Sequence, residues 1–511
     1  MRAARRYSPM RFSRIFIPTA REAQKGLIDR SVAWLSRAGY VSADAEAGDL
    51  DLLPLGFMLW ERIAFTFRDL VREKGVQVVD FKEMAEDSLS ISRKAVKSYR
   101  QLPLSFAEIG TRRIDACGFA ADADEATLCR DGFLDMARQI SREGGLTPRN
   151  GRTIEETRHY VALAAERGSW RSKEGFLCPS CDWCGDDAAP SSPAVGPSGG
   201  EAPLREVETP GADTIAELCR QLGVSPDQTL KTLFYAAEQG TGKEVLAVLT
   251  RGDHQVNDRK LSHALGGVVV RFADPLEIRE AVGDLAGYLG PVGLPPGIRI
   301  LADRHVEGSP CLVAGANKVG FHLLNACWGR DYGVSAVADL VSIQEGFPCP
   351  LCGSPIVASP LRSIAVAMTD PESSPLTFQR EGGALSRAHR WEGTLCVTPL
   401  ALSLVGHEKI PPRFAPFDVN ILIASMRNDD AVGLGNVLAE RLEESGFRVL
   451  LDDRDERAGV KFSDAELVGL PVTVVVGREA SEGIVEVWRP DGAREELPAG
   501  GIADRIQRWI R

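Results

Sequence analysis

Two short turns constrain this chain more than any other feature. Cys178-Pro-Ser-Cys181 and Cys349-Pro-Leu-Cys352 are near-copies held far apart in sequence. A Cys-x-x-Cys turn aims two thiolates at one point, and two such turns complete a tetrahedral zinc shell. Whatever folds between them must bring its two ends back together. The pattern predicts one structural zinc on Cys178, Cys181, Cys349 and Cys352, pinning the ends of an inserted unit. Four thiolates leave no open position for water, which argues against a catalytic metal. Cys184 is then spare, or replaces Cys181. A pair of unmetallated remnant turns is the bland alternative.

Five of the eleven cysteines lie in these clusters, and nothing at the N-terminus resembles a secretory signal. The compartment therefore reads as reducing and cytoplasmic. Residues 1–21 are Arg-rich and free of acids, which reads as a basic arm in preference to an organellar transit peptide. No apolar run approaches the roughly 18–20 residues of a membrane span. With 511 residues, 44% of them hydrophobic, the chain is long enough for several domains. A net charge of -11 excludes a generic nucleic-acid binder but leaves room for a local basic patch.

The stretch Asp186–Asp213 holds five prolines among Ser, Gly and Ala, and reads as a linker that cannot bury a core. Before it, Asp51–Gly56 forms a turn. A helical run to Lys74 follows, with Leu59, Ile63, Phe67, Leu70 and Val71 at helical spacing, and then a strand at Val76–Phe81. After the linker, a helix at Thr214–Leu222 precedes strands at Gln228–Ala236, Val245–Leu249, Val268–Phe272 and Gly297–Leu301. This is an α+β unit ending near Ile343. From Pro411 onward, Val419–Ala424 and Val472–Val476 are β-branched runs typical of strands buried on both faces. Asp430 can cap a helix bearing Leu434, Val437, Leu438 and Leu442; Arg448–Leu451 adds a strand and Ile502–Ile510 a closing helix. The alternation predicts a small parallel α/β domain.

Several stretches, in order along nearly the whole chain, resemble bacterial prolyl-tRNA synthetase. They are Met10–Arg14 with Phe16–Thr19, Arg37–Tyr40, Leu53–Gly56 and Ser98–Leu104. Arg251–His254, Gly287–Pro291 and Ala314–Asn317 resemble that family's editing domain, and Leu451–Phe462 its anticodon-binding domain. The resemblance implies a class II synthetase-like antiparallel sheet domain, an inserted α+β editing domain and a C-terminal α/β anticodon-binding domain. On this reading the synthetase-like core occupies residues 10–177, a zinc turn 178–185 and a linker 186–212. The editing domain spans 213–345, the second zinc turn and remainder of the core 346–410, and the anticodon-binding domain 411–511. It also implies a homodimer, paired through the helix Phe57–Lys74.

The resemblance fails where adenylate chemistry lives. Cationic groups must hold the ATP phosphates, and arginine's planar fork suits them. The family's motif-two arginine falls on Ile114 and its glutamate on Ala116; the following loop, Gly118–Thr127, carries Asp122, Asp124 and Glu125 and no base. The motif-three window, Thr394–Val405, holds Pro399 and neither Gly nor Arg, and the proline-gripping Thr-x-Glu aligns with Glu83-Met84-Ala85. These losses speak against an ATP and magnesium site. Misplacement of the motifs in a working synthetase is the competing explanation.

The editing signature is retained. By resemblance, Lys231 is the editing lysine, Gly287 and Pro291 frame the Gly-x-x-x-Pro loop, and His322 is the histidine that limits side-chain size. Arg454, Arg457 and Lys461 form a cationic edge for tRNA on a loop of the anticodon-binding domain that precedes a short helical stretch around Asp464–Val468, with an internally salt-bridged loop as the bland alternative. The expected activity is hydrolysis of mischarged aminoacyl-tRNA, alanyl-tRNA(Pro) first, with tRNA(Pro) as partner. A non-catalytic tRNA-binding or regulatory paralogue and a functional proline–tRNA ligase are the alternatives.

Overall fold

Side chains along His389–Cys396 alternate between part-buried and buried, the signature of a strand with one covered face. This strand lies inside the main sheet of a computed structural model that describes residues 9–44, 49–155, 157–192, 202–239, 242–283, 288–307, 309, 311–370, 374–405 and 409–510. The chain divides into two units. One comprises Met1–Asn150, Thr157–Lys173 and Pro360–Arg511; the other comprises Gly151–Glu156 and Glu174–Ser359.

In the first unit the sheet runs Gln77–Val79, Leu104–Ile109, Arg113–Ala120, His389–Cys396, Val357–Thr369, Arg158–Ala164. All these pairings are antiparallel except the first. Helices Pro54–Glu73, Ala123–Glu143 and Val397–Leu404 contribute Leu59, Trp60, Phe67, Phe133, Ile140 and Leu400 to its core. The helix offered above to a second copy spends its apolar stripe here: Leu59, Ile63, Phe67 and Val71 are fully buried inside the unit, and Phe57 is its exposed apolar residue.

The same unit holds a second sheet, ordered Met10–Arg11, Val449–Asp452, Val419–Ile423, Val472–Val476, Ile484–Trp488, Arg494–Pro498. The first four strands are parallel, and the three inner ones are buried at every position, as β-branched strands covered on both faces must be. Helix Asp429–Glu444 is capped by Asn428, whose side chain accepts from the Ala431 N–H, not by Asp430. Leu438 and Leu442 face the core, but Val437 is exposed. Tyr40, just ahead of the hairpin strand Val41–Asp44, donates from its buried hydroxyl to the carbonyl of Val468 at the end of helix Ala458–Val468.

In the second unit a five-stranded sheet runs Val269–Phe272, Leu230–Gln239, Gly242–Arg251, Arg299–Asp303, Ala336–Ala338. A three-stranded sheet runs Arg205–Glu208, Phe321–Cys327, Cys311–Gly315. Cys311 and Cys327 face each other across it and are disulfide-bonded, which the reading of a reducing compartment did not anticipate. Thr214 and Glu217 form a capping box that starts helix Ile215–Leu222.

The supposed linker needs correction. Ala188 and Ala189 are fully buried, Ser191 binds Asp339, Asp186 pairs with Arg259, and Arg205–Glu208 is a paired strand. Small residues and prolines mark a turn-rich segment, and here its alanines fit against the folded insertion. Residues 193–201, within that stretch, lie outside the described residues.

Candidate functional site

Lys231 sits near the start of strand Leu230–Gln239, which pairs with the central strand Gly242–Arg251 next to the point where the Arg251–His254 turn folds back. Its Nζ donates to the His254 carbonyl at 2.8 Å. Burial lowers its pKa, opposed by the charge of nearby Asp253. Strand alternation places Lys231, Leu233 and Tyr235 on one face, where they line a cavity of about 560 Å³ with His254, Asp258 and Arg259. The cavity is of mixed character: Lys231 and Arg259 share its wall with Asp187 and Asp258, and Arg259 pairs with Asp186 at 2.8 Å.

His322 and Pro291 are elsewhere in the unit and do not line this cavity. His322 is buried on strand Phe321–Cys327, its Nδ1 hydrogen-bonded to Thr209 Oγ1 at 2.6 Å. Its ring stacks on Tyr288 with centroids 4.7 Å apart, and Tyr288 donates to Asp213 at 2.6 Å. Burial lowers the His322 pKa, so the ring is a neutral wall. Pro291 is buried beside Gly290, and Gly287 lies outside the described residues.

What holds this loop was not foreseen. Asn317, in the left-handed region at φ 55, accepts from the Gly290 N–H at 2.7 Å and donates to the Val292 carbonyl at 2.6 Å. Its backbone N–H donates to the Tyr288 carbonyl. Asparagine tolerates that conformation where most side chains do not. The Gly-Ala-Asn run at a strand end was the available signal, as a turn pattern.

The four cysteines of the two turns converge. All four Sγ atoms lie within 4.8 Å of one another, Cys178 and Cys352 at 3.4 Å and Cys181 and Cys349 at 3.7 Å. Thiolates around tetrahedral zinc stand about 3.8 Å apart, so the set fits that ion. Hydrogen bonds from Ser354 hold Cys352 down at about 6, while burial pushes Cys181 up to about 12. Cys184 is buried on strand Trp183–Gly185, outside the group.

Residues 209–332 match the model of the aminoacyl-tRNA editing domain, and residues 418–509 that of the anticodon binding domain. A proline–tRNA ligase of Moorella thermoacetica is 35% identical over 98% of both chains. The chain belongs to the bacterial prolyl-tRNA synthetase family. A proline–tRNA ligase of Heliobacterium modesticaldum is 32% identical, again over 98% of each chain. The crystal structure of prolyl-tRNA synthetase from Cryptosporidium parvum, complexed with halofuginone and AMPPNP, shares the fold: the TM-score is 0.50 at 11% identity, covering 97% of this chain and 80% of that one.

Against the family's motifs, the structure revises the synthetase core. Gly118–Thr127 is not a loop. Gly118–Ala120 completes strand Arg113–Ala120, and Asp122 caps helix Ala123–Glu143 by accepting from the Glu125 N–H. Glu125 in turn accepts from the Ala121 N–H. The acids are capping residues, drawn there by the helix N-terminus. The connection between the paired strands Leu104–Ile109 and Arg113–Ala120 is only the turn Gly110–Arg112. Ile114 is fully buried in the core and Ala116 nearly so. Arg113 points outward and pairs with Asp115 at 2.7 Å; Asp115 also accepts from Thr394. Pro399 is buried in helix Val397–Leu404, and Glu83 sits at the start of helix Met84–Ala95.

The cationic edge of the anticodon-binding domain also needs correction. Helix Ala458–Val468 begins earlier than the expected Asp464 and carries Lys461 inward. Lys461 has no exposed surface, and its Nζ donates to the Ile423 carbonyl. Arg454 is clamped by Asp452 and Asp464 at 2.7 and 2.8 Å and stacks over Phe12. Arg457, at the helix N-cap, remains exposed.

Proposed function

We propose that the chain acts on proline tRNA as a hydrolase of mischarged aminoacyl esters, alanyl-tRNA(Pro) first among them. The observation that carries this reading is Lys231, held at 2.8 Å from the His254 carbonyl on the wall of a cavity within the editing domain. An ammonium there can bind the phosphates of a tRNA 3′ end. The aminoacyl ester is already activated, so water needs positioning more than a strong base. The Asn317-stapled loop at Tyr288–Val292, with Tyr288 stacked on the buried His322, would shape the wall that limits the accepted side chain.

Proline–tRNA ligation is the second reading, and the relatives' shared name supports it more directly than it supports hydrolysis. The short turn Gly110–Arg112 and the Arg113–Asp115 pair weigh against it, because they leave no free arginine fork at the place assigned to motif two. Proline-dependent pyrophosphate exchange separates the two. The hydrolase reading expects no exchange and Lys231-dependent loss of the alanyl ester; exchange well above background would establish ligation.

The four-thiol group is read as a structural zinc site, supported by the fit of its sulfur spacing to that ion.

A further inference from the structure

A second cluster of metal-ligating side chains lies behind Lys231. His254 closes the turn after strand Gly242–Arg251; Asp303 ends strand Arg299–Asp303, and His305 lies in the helical turn Arg304–Glu307 that follows. The two strands are parallel neighbours, which brings their C-terminal ends together. One ligand atom from each of the three residues lies within 4.8 Å of the others. Their exposures are 2% for His254 and 0% for Asp303 and His305.

The hydrogen bonds fix the proton positions. Asp303 Oδ1 accepts from His305 Nδ1 at 2.7 Å and from the His305 backbone N–H, and Oδ2 accepts from the Leu340 N–H. His305 therefore carries its proton on Nδ1 and leaves Nε2 a lone pair. Asp253 lies 3.4 Å from His254 Nε2 and favours the proton there, leaving Nδ1 a lone pair as well. Neither His305 Nε2 nor His254 Nδ1 has a hydrogen-bond partner among the described residues. The rings meet edge to face with centroids 4.5 Å apart, and Phe347 packs against both. Two buried acceptors left without a donor are each costly.

We propose that His254, through Nδ1, and His305, through Nε2 and oriented by Asp303, form a second metal site, for a divalent transition ion that prefers imidazole, with zinc as the test ion. A carboxylate orienting one histidine through its other nitrogen is the usual support of such a ligand. Imidazole with a carboxylate suits zinc and its first-row neighbours. Buried Lys260 does not compete for the carboxylate, because its ammonium is held by Asp339 at 2.8 Å. The ion would pin His254, and through its carbonyl the Lys231 ammonium. The metal site stands whether or not the hydrolase reading holds.

The test is metal stoichiometry on the full chain, purified without chelator and incubated with zinc, then dialysed. Wild type is expected to hold two zinc ions, His305→Gln one, and Cys349→Ser/Cys352→Ser one. Cobalt(II) titration of wild type provides a check that needs no variant. One equivalent is expected to give intense thiolate charge-transfer bands, and a second the weak bands of nitrogen and oxygen ligation. His305→Gln should keep the thiolate bands and lose the second equivalent. One metal per wild-type chain with thiolate bands only, or two metals retained in His305→Gln, overturns the proposal.

Discussion

Lys461 donates its ammonium to the main-chain carbonyl of Ile423, 2.8 Å away, from a side chain with no exposed surface. A lysine so placed supports the domain and cannot reach a phosphate. Lys461→Met keeps the packing but leaves Ile423 without its donor, at a cost of roughly 1–3 kcal/mol. Urea unfolding should register that loss, while the salt dependence of tRNA binding stays as in wild type. Arg457→Ala should do the reverse, leaving stability intact and lowering the salt slope by about 0.7–0.9 if it meets one phosphate. A changed salt slope in Lys461→Met would contradict this assignment.

Asp453 couples the N-terminal segment to the anticodon-binding sheet. Burial pushes its pKa up, but hydrogen bonds from the Ser13 N–H, Arg11 and the Ser13 hydroxyl outweigh that and hold it below the usual carboxylate value. A depressed folded pKa stabilises fully above the unfolded value and is lost as pH falls through the folded one. Protection of the Arg11–Ser13 amides, relative to their intrinsic exchange rates at each pH, should therefore fall as pH drops below about 4. Asp453→Asn should exchange faster at neutral pH and respond less to acid. Equal acid responses in the two proteins would show that another group controls the contact.

The buried parallel strands Val419–Ile423 and Val472–Val476 were legible because their β-branched runs admit few other structures. The convergence of the two cysteine turns was legible because thiol pairs at that spacing have few other uses. Errors arose where one residue type serves two purposes. Asp122 and Glu125 read as a phosphate-repelling loop, yet acids are also what a helix N-terminus selects. Lys461 read as surface charge because its direction depended on a helix start misplaced by several residues. The His254–His305 contact joins separate strand ends, and no local pattern announces it.

Removal of the four-thiol metal should loosen the inserted unit without touching its cavity. Cys178 and Cys349 are packed with Trp183, Ile343 and Ile356, so the ion would tie the entry and exit of the insertion into one small core. Cys349→Ser is expected to lose one zinc and to expose the neighbouring chain to limited proteolysis. Structural zinc sites contribute directly to folding free energy, so thermal unfolding of this unit should move down as well. Unchanged zinc content in Cys349→Ser would remove the assignment.

The closest backbone approach near the editing loop yields the sharpest steric test. A Cβ at Gly290 would stand 1.9 Å from the Gly315 carbonyl oxygen and 2.7 Å from its carbon, and neither backbone atom can rotate away. Gly290→Ala must push the loop off the Ala314–Asn317 turn and break the Gly290 N–H bond to Asn317. A forced backbone shift of this kind costs on the order of 1–3 kcal/mol. Ester hydrolysis should fall with it, because the loop would no longer hold Tyr288 against His322. Gly297→Ala is the control: an added Cβ there meets nothing within 4 Å. It should match wild type in stability and rate. Asn317→Ala, which removes the side-chain staple without a clash, should fall between them. If Gly290→Ala behaves like Gly297→Ala in both measurements, the loop is not held as described and has no fixed place in the chemistry.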